Sequence, residues 1–359
     1  MSGFKYKRIA VKVGSNVLTT PDGDLDVQRI SSIVNQISIL HQSGVEVLLI
    51  SSGAVATGRS AVTPTRKLDA VDQRQLYSAI GQVVLIHEYH RLFQEKGLVC
   101  GQILTTKESF RSRRHYLNQK NCITVMLENG VIPVINENDT ISVTELMFTD
   151  NDELSGLIAT MMDAEALLIL SNIDGIYDGN PTDKNSRVIR EIQPGTNLKR
   201  YIADKKSSFG RGGMLTKCNI AKKVAEEGIA VYIANGKKDG ILPSLLTENS
   251  GMICTHFIPN KKASAVKKWI AHSEGFTKGK VQINEGCFEA LNKKSTSILP
   301  VGMTHVFGNF EKGDIVTVLD PKGNSIGVGK AQYGSKSIKE LLGKRGEKAF
   351  IHYDYLFLD

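Results

Sequence analysis

Residues 44–54 read Gly44-Val45-Glu46-Val47-Leu48-Leu49-Ile50-Ser51-Ser52-Gly53-Ala54. A polar-apolar helical stretch ends at Gly44, and glycine just past a helix is the common stop signal. The run that follows is apolar at nearly every position, so as a strand it is buried on both faces. It then breaks into serines and a glycine. The same order returns at Gly97 before Leu98-Val99, at Gly130 before Val131-Ile132-Pro133-Val134-Ile135, and at Gly228 before Ile229-Ala230-Val231-Tyr232-Ile233. Ala166–Leu170 is a further strand of this kind. Helices alternating with doubly buried strands predict a three-layer αβα sandwich with a mainly parallel central sheet, over about residues 5–257.

Beyond that point the character changes. Residues 260–280 are rich in lysine and carry Trp269, the only tryptophan. From Gly279 on, runs are short and turns frequent, as at Glu311-Lys312-Gly313-Asp314 and Asp320-Pro321-Lys322-Gly323-Asn324. This predicts a small β-rich C-terminal domain. The division read from sequence is 1–257, a connector at 258–277, and 278–359.

Composition narrows the classes. The 359 residues are 41% hydrophobic and 23% charged, which excludes a disordered or fibrous chain. No apolar run approaches the roughly 18–20 residues that span a bilayer. The start leads straight into Ile9-Ala10-Val11 with no apolar signal segment, and a cytoplasmic protein is expected. Five scattered cysteines without a CxxC spacing argue against a disulfide framework or a zinc site. A net charge of +8 suits an anionic substrate, nucleic acid or solubility alike.

Polar clusters fall where parallel sheets bind ligands, at the carboxyl ends of strands. Lys12 ends the strand Ile9–Val13 and precedes Gly14-Ser15-Asn16; a lysine on an apolar strand is costly without a partner. Ser51-Ser52-Gly53-Ala54, Asn136-Glu137-Asn138-Asp139 and Ser171-Asn172 each follow a strand. Gly210-Arg211-Gly212-Gly213-Met214-Leu215-Thr216-Lys217 places three glycines in four residues before an amphipathic helix running to Gly228. Leu215, Cys218, Ala221, Val224 and Ala225 form its apolar face. A glycine turn feeding a helix N-terminus is an anion site, and Lys217 adds a positive charge. No GxxxxGK[ST] loop and no GxGxxG turn after the first strand are present, nor an HRD or DFG pair. The helix over 72–92 reads as core on one side, with Tyr77, Gln82 and His87 as packing or interface residues. Arg111, Arg113, Arg114 and His115 read as a solvated helix start.

Six ordered motifs carry a resemblance: Val11-Lys12-Val13-Gly14-Ser15, Ser51-Ser52-Gly53-Ala54, Ala79-Ile80-Gly81-Gln82, Asn136-Glu137-Asn138-Asp139, Thr149-Asp150-Asn151-Asp152 and Gly212-Gly213-Met214-Leu215-Thr216-Lys217. Together they resemble the amino acid kinase family, and within it the glutamate 5-kinases. The tail resembles the PUA domain many of them carry. The resemblance implies ATP-dependent phosphorylation of the glutamate side-chain carboxylate to an acyl phosphate, the first step toward proline, with Mg²⁺ bridging the nucleotide phosphates. It implies catalytic roles for Lys12, Lys217 and Asp152, Asp152 holding both lysines. Asp150 is the alternative for that role or for Mg²⁺. ATP would meet Lys12, Gly14, Ser171, Asn172, Arg211, Gly212, Gly213, Met214, Leu215, Thr216 and Lys217. Glutamate would meet Ser52, Gly53, Ala54, Asp139 and Asn151. No protein-built metal cage is expected. A homo-oligomer, dimer or tetramer, and inhibition by proline are also implied.

The chain departs from the family pattern in two places. Ser171-Asn172 stands where Thr-Asp is usual, and Arg211 where the loop usually has threonine; both bear on the nucleotide. Two alternatives stand at this stage. One is another amino acid kinase, acting on a different carboxylate, a carbamate or a nucleotide. The other is an RNA-binding protein acting through the PUA domain, which predicts a basic, aromatic face on a tail that is only slightly positive.

Overall fold

The structure is a computed structural model. It describes residues 3–111, 113–142, 148, 150–181, 183, 185–197, 214–260, 277–293 and 296–358. Thr149, Gly210, Arg211, Gly212, Gly213, Trp269 and most of the connector lie outside these residues. The chain divides into two compact units, the first comprising Met1–Ser109 with Leu117–Lys262 and the second Phe110–Tyr116 with Ala263–Asp359.

In chain order the elements up to residue 260 begin with β1 (Arg8–Val13), α1 (Ser15–Leu18), α2 (Val27–Gln42), β2 (Glu46–Ser51), α3 (Ala54–Ala61) and α4 (Ala70–Gln94). They continue with β3 (Val99–Thr105), α5 (Glu108–Arg111), α6 (Arg113–Glu128), β4 (Val131–Glu137), α7 (Asn151–Met161) and β5 (Ala166–Ser171). β6 (Glu191–Ile192), α8 (Met214–Glu226), β7 (Ala230–Asn235), α9 (Ile241–Leu246) and β8 (Cys254–Phe257) complete the set. The strands form one sheet in the order β3-β4-β2-β1-β5-β7-β8-β6. Every pairing from β3 to β7 is parallel, and β8 runs antiparallel to β7.

The four glycines read as helix stops, Gly44, Gly97, Gly130 and Gly228, all adopt positive φ, from 69° to 86°. This left-handed conformation ends a helix cheaply only without a Cβ. Each releases the chain into the strand that follows. β1, β2, β4, β5 and β7 are almost wholly buried, as their apolar runs require. β3 is the exception: it lies at one edge of the sheet, and Val99 is 60% exposed.

Strand side chains alternate between faces. Ile9, Val11 and Val13 join one core with Val47, Leu49, Leu168 and Leu170, closed by apolar residues of α2, α4 and α9. The intervening residues, Ala10 and Lys12, face the opposite layer, where α7 packs on β1 and α8 packs on α7. This alternation aims Lys12 at α7.

The smaller unit holds a five-stranded sheet in the order β10-β9-β11-β12-β13, from β9 (Gly279–Ile283), β10 (Met303–Gly308), β11 (Ile315–Leu319), β12 (Ser325–Lys330) and β13 (Leu356–Leu358). Val281, Ile283, Val316, Val318, Phe350 and Ile351 form its own core. Of the cysteines, Cys218 and Cys254 are buried, Cys100 and Cys287 half-buried, and Cys122 exposed; all five are free thiols.

Candidate active site

The site assembles at the carboxyl ends of β1, β2, β4 and β5. Asp150 begins α7 as its N-cap: Oδ1 accepts from the backbone N–H groups of Asp152 at 2.9 Å and Glu153 at 3.1 Å. The cap fixes the first turn, and the first turn carries Asp152 inward to zero exposure. There Asp152 meets two ammonium groups. Lys12 Nζ lies 2.6 Å from Oδ1, and Lys217 Nζ, in the first turn of α8, donates to Oδ2 at 2.6 Å. Both lysine side chains are nearly buried themselves.

The electrostatics follow from this packing. Burial alone would raise the Asp152 carboxyl, but Lys12 and Lys217 outweigh it and hold the group below the ordinary carboxylate value. Its neighbour Asp150 moves the other way, raised by burial and by the Asp152 charge. Asp150 Oδ2 is buried and has no hydrogen-bond partner among the described residues. Two carboxylates two residues apart are thus driven in opposite directions, one committed to two cations and one with a spare oxygen.

Gly14 lies beside Lys12. A Cβ there would sit 3.3 Å from the Leu170 carbonyl oxygen and 3.5 Å from Lys12 Nζ, in the space the ammonium overlooks. Gly53, at φ 101°, turns β2 into α3 and leaves the N-terminus of α3 without a side-chain cap. Ser171 and Asn172 follow β5, with Ser171 Oγ donating to Asn172 Oδ1 at 3.4 Å. Beside them, burial would raise Asp174, but hydrogen bonds from Asn235 and Lys238 hold it below the ordinary value. Met214, Leu215 and Thr216 form the start of α8 with Lys217. Leu215 does not join the apolar face expected of it; it is 52% exposed, while Cys218, Ala221, Val224 and Ala225 are buried. Arg211, Gly212 and Gly213 precede α8 outside the described residues.

A second cluster adjoins the first. Asn151 Nδ2 donates to the Ser51 carbonyl at 2.9 Å, Ser52 Oγ at 2.9 Å and Asn136 Oδ1 at 3.0 Å. Asn136 Nδ2 in turn donates to Gln82 Oε1 at 2.8 Å. One amide chain thereby ties β2, β4, α4 and α7 together. Ala54 starts α3 and is buried. Asp139, beyond β4, accepts from Arg74 Nε at 2.6 Å, and Arg74 Nη2 donates to Glu137 Oε2 at 2.7 Å. Glu137 Oε1 accepts from the Phe148 backbone N–H at 2.9 Å.

Sequence reasoning missed two members of this cluster. Gln82, read as packing or interface, is a hydrogen-bonding link of the amide chain. Arg74 drew no notice, although it bridges both acidic residues of the Asn136–Asp139 motif. The one signal available was the helical spacing between them: residues eight apart on one helix share a face. Arg114 and His115 are exposed, as a solvated helix start requires, while the side chains of Arg111 and Arg113 lie outside the described set.

A mainly parallel sheet that gathers two ammonium groups on one buried carboxylate suits phosphoryl transfer by positioning and charge. The chain belongs to the amino acid kinase family, which matches residues 7–235, and residues 279–350 match the PUA domain. It is 64% identical over 357 residues to a glutamate 5-kinase of Bacteroides thetaiotaomicron, covering 99% of both chains. It is 47% identical to a glutamate 5-kinase of Chlorobaculum tepidum, with 98% of each covered. Against one of Trichlorobacter lovleyi the identity is 37%, over 99% of this chain and 97% of the relative.

Proposed function

We propose that the chain is a kinase that transfers the terminal phosphoryl group of ATP to the side-chain carboxylate of L-glutamate, giving glutamyl 5-phosphate and ADP, the first step of proline synthesis. The observation that carries this reading is Asp152, wholly buried and 2.6 Å from the ammonium groups of both Lys12 and Lys217. Relatives that share nearly the full length and bear the name glutamate 5-kinase support the substrate.

In the step, a glutamate carboxylate oxygen forms a bond to the terminal phosphorus, and the bond from that phosphorus to the ADP oxygen breaks. The attacking carboxylate is already ionised at neutral pH, with an ordinary pKa of about 4.3, so no base has to remove a proton. Asp152 therefore positions the cations. Lys12 faces the transferring phosphoryl and Lys217 the leaving phosphates, where charge accumulates. ATP supplies the activated phosphoryl group. Gly14, with the space a Cβ would fill, and residues 210–217 would hold its phosphates; Ser171, Asn172 and Leu215 would border the rest of the nucleotide.

Ser52, Gly53, Ala54, Asp139 and Asn151 would hold glutamate, Asp139 taking the ammonium. Mg²⁺ would enter with the nucleotide phosphates, and the spare oxygen of Asp150 fits it or one of its waters. Among the described residues no group of three or more His, Cys, Asp or Glu side chains could hold a metal. The division into a kinase domain at 1–257, a connector at 258–277 and a PUA domain at 278–359 is part of this reading, as are a cytoplasmic location and a homo-oligomer. Among the described residues no helix is long and apolar enough to cross a membrane.

ADP release measured with ATP, Mg²⁺ and each of L-glutamate, aspartate, acetylglutamate and a nucleoside monophosphate tests the assignment. Glutamate-dependent turnover that stops on chelation with EDTA is expected. Turnover with another acceptor and none with glutamate would overturn the substrate.

A further inference from the structure

Arg74 lies on α4, outside every motif that points to the site, yet it pairs with both acidic groups of the β4 exit. Its Nη2 serves Glu137 and also closes on Asp139, and its Nε donates to Asp139. The Glu137 and Asp139 side chains are 3% and 9% exposed and that of Arg74 20%. One residue along α4, Gln75 Nε2 donates to the Thr140 carbonyl at 2.7 Å, so the same helix turn also pins the backbone beyond Asp139. Glu137 passes the contact onward through Phe148 N–H to the segment that enters α7.

Glutamate at neutral pH carries two carboxylates and one ammonium, a net charge of −1. Without Arg74 it would approach two nearly buried carboxylates, a wall of −2. Arg74 offsets one of those two charges, and the guanidinium fork holds the Asp139 carboxylate in one orientation. We propose that Arg74 is a positioning residue that sets affinity for the acceptor, halving the negative charge of the Glu137–Asp139 wall and aiming Asp139 at the substrate ammonium. This rests on the glutamate reading above.

Around Glu137 the facing groups are Arg74 from α4, Asp139 and Ser142 beyond β4, and the Phe148 N–H; Thr105 is its register partner on β3. Burial and Asp139 raise its carboxyl above the ordinary value, and Arg74 opposes them. Removing the guanidinium takes that opposition away.

The test is steady-state kinetics of Arg74→Gln and Arg74→Lys in the full chain, with the unfolding midpoint of each recorded. Arg74→Gln is expected to raise KM for glutamate by about tenfold or more, while KM for ATP and kcat stay within about threefold. Arg74→Lys keeps the charge and loses the fork, so its KM should fall between those of the wild type and Arg74→Gln. A KM for glutamate within about twofold of wild type in Arg74→Gln would overturn the proposal. So would a loss shared equally by kcat and both KM values, as general loosening of the fold gives. If Arg74→Gln does not fold, a wild-type KM in Arg74→Lys contradicts the need for the fork and a raised KM supports it. Wild-type enzyme inactive on glutamate would instead overturn the substrate, and the same KM comparison on the acceptor it does use would decide the role of Arg74.

Discussion

Asp152 joins a proposed catalytic role to a structural one in a single side chain. Replacing it with alanine leaves two nearly buried ammonium groups without their carboxylate, a change that costs about 3–5 kcal/mol when a buried pair is broken. Chemical denaturation of Asp152→Ala should show a loss of that order, with turnover abolished. Lys217→Ala is milder, because it removes one cation and leaves Asp152 paired with Lys12. It should lower kcat by about 10²-fold or more, while the protein stays folded by circular dichroism. The pH dependence follows from the signs. The depressed Asp152 value contributes stability that is complete above the ordinary carboxylate value of about 3.9 and is lost as pH falls through the folded value. The raised Asp150 value works the other way, its charge costing stability near neutral pH that protonation returns. Asp150→Asn should therefore keep the helix cap through its remaining oxygen, raise or preserve the thermal midpoint, and lower kcat. A lowered midpoint would show that the buried oxygen already has a stabilising partner.

At the scale of elements, the proposed glutamate side sits where α3 and α4 touch at two glycines. A Cβ at Gly58 would lie 1.8 Å from the Tyr77 carbonyl oxygen, and one at Gly81 would lie 1.8 Å from that of Ala54. The backbones must separate to admit a methyl, at a cost of about 1–3 kcal/mol. Gly81→Ala should lower the unfolding midpoint and raise KM for glutamate more than KM for ATP, because Gln82 follows it and Ala54 adjoins Ser52 and Gly53. The sheet and its helices were legible because the glycine stops and apolar runs repeat with one rhythm. Lys12 was legible as an anomaly, a charge on a buried strand whose partner had to exist. Arg74 and Gln82 were not, since their partners stand 63 to 65 and 54 residues away. On a helix that also carries Asp72, Glu88 and Arg91, one more polar side chain reads as solvated. Leu215 misled for a related reason: helical spacing fits it to the apolar face, yet in the first turn of α8 it is exposed.

For the whole molecule, every side chain of the described site comes from the first 260 residues, and the second unit has its own core. A chain ending at Asn260 is expected to keep glutamate-dependent ADP formation, assayed beside the full chain; an inactive but folded truncation would give the PUA domain a part in catalysis. If proline shares the glutamate site, it should raise apparent KM for glutamate without changing kcat. The central claim is that the glutamate carboxylate itself attacks phosphorus. The direct measurement uses glutamate labelled with ¹⁸O in its side-chain carboxylate, with ATP, Mg²⁺ and hydroxylamine, and reads the released phosphate by mass. Hydroxylamine attacks the acyl carbon and leaves the bridging oxygen on phosphorus. The account predicts phosphate carrying one ¹⁸O atom, in amount equal to ADP and hydroxamate. Unlabelled phosphate without hydroxamate would mean that water takes the phosphoryl group and would contradict it.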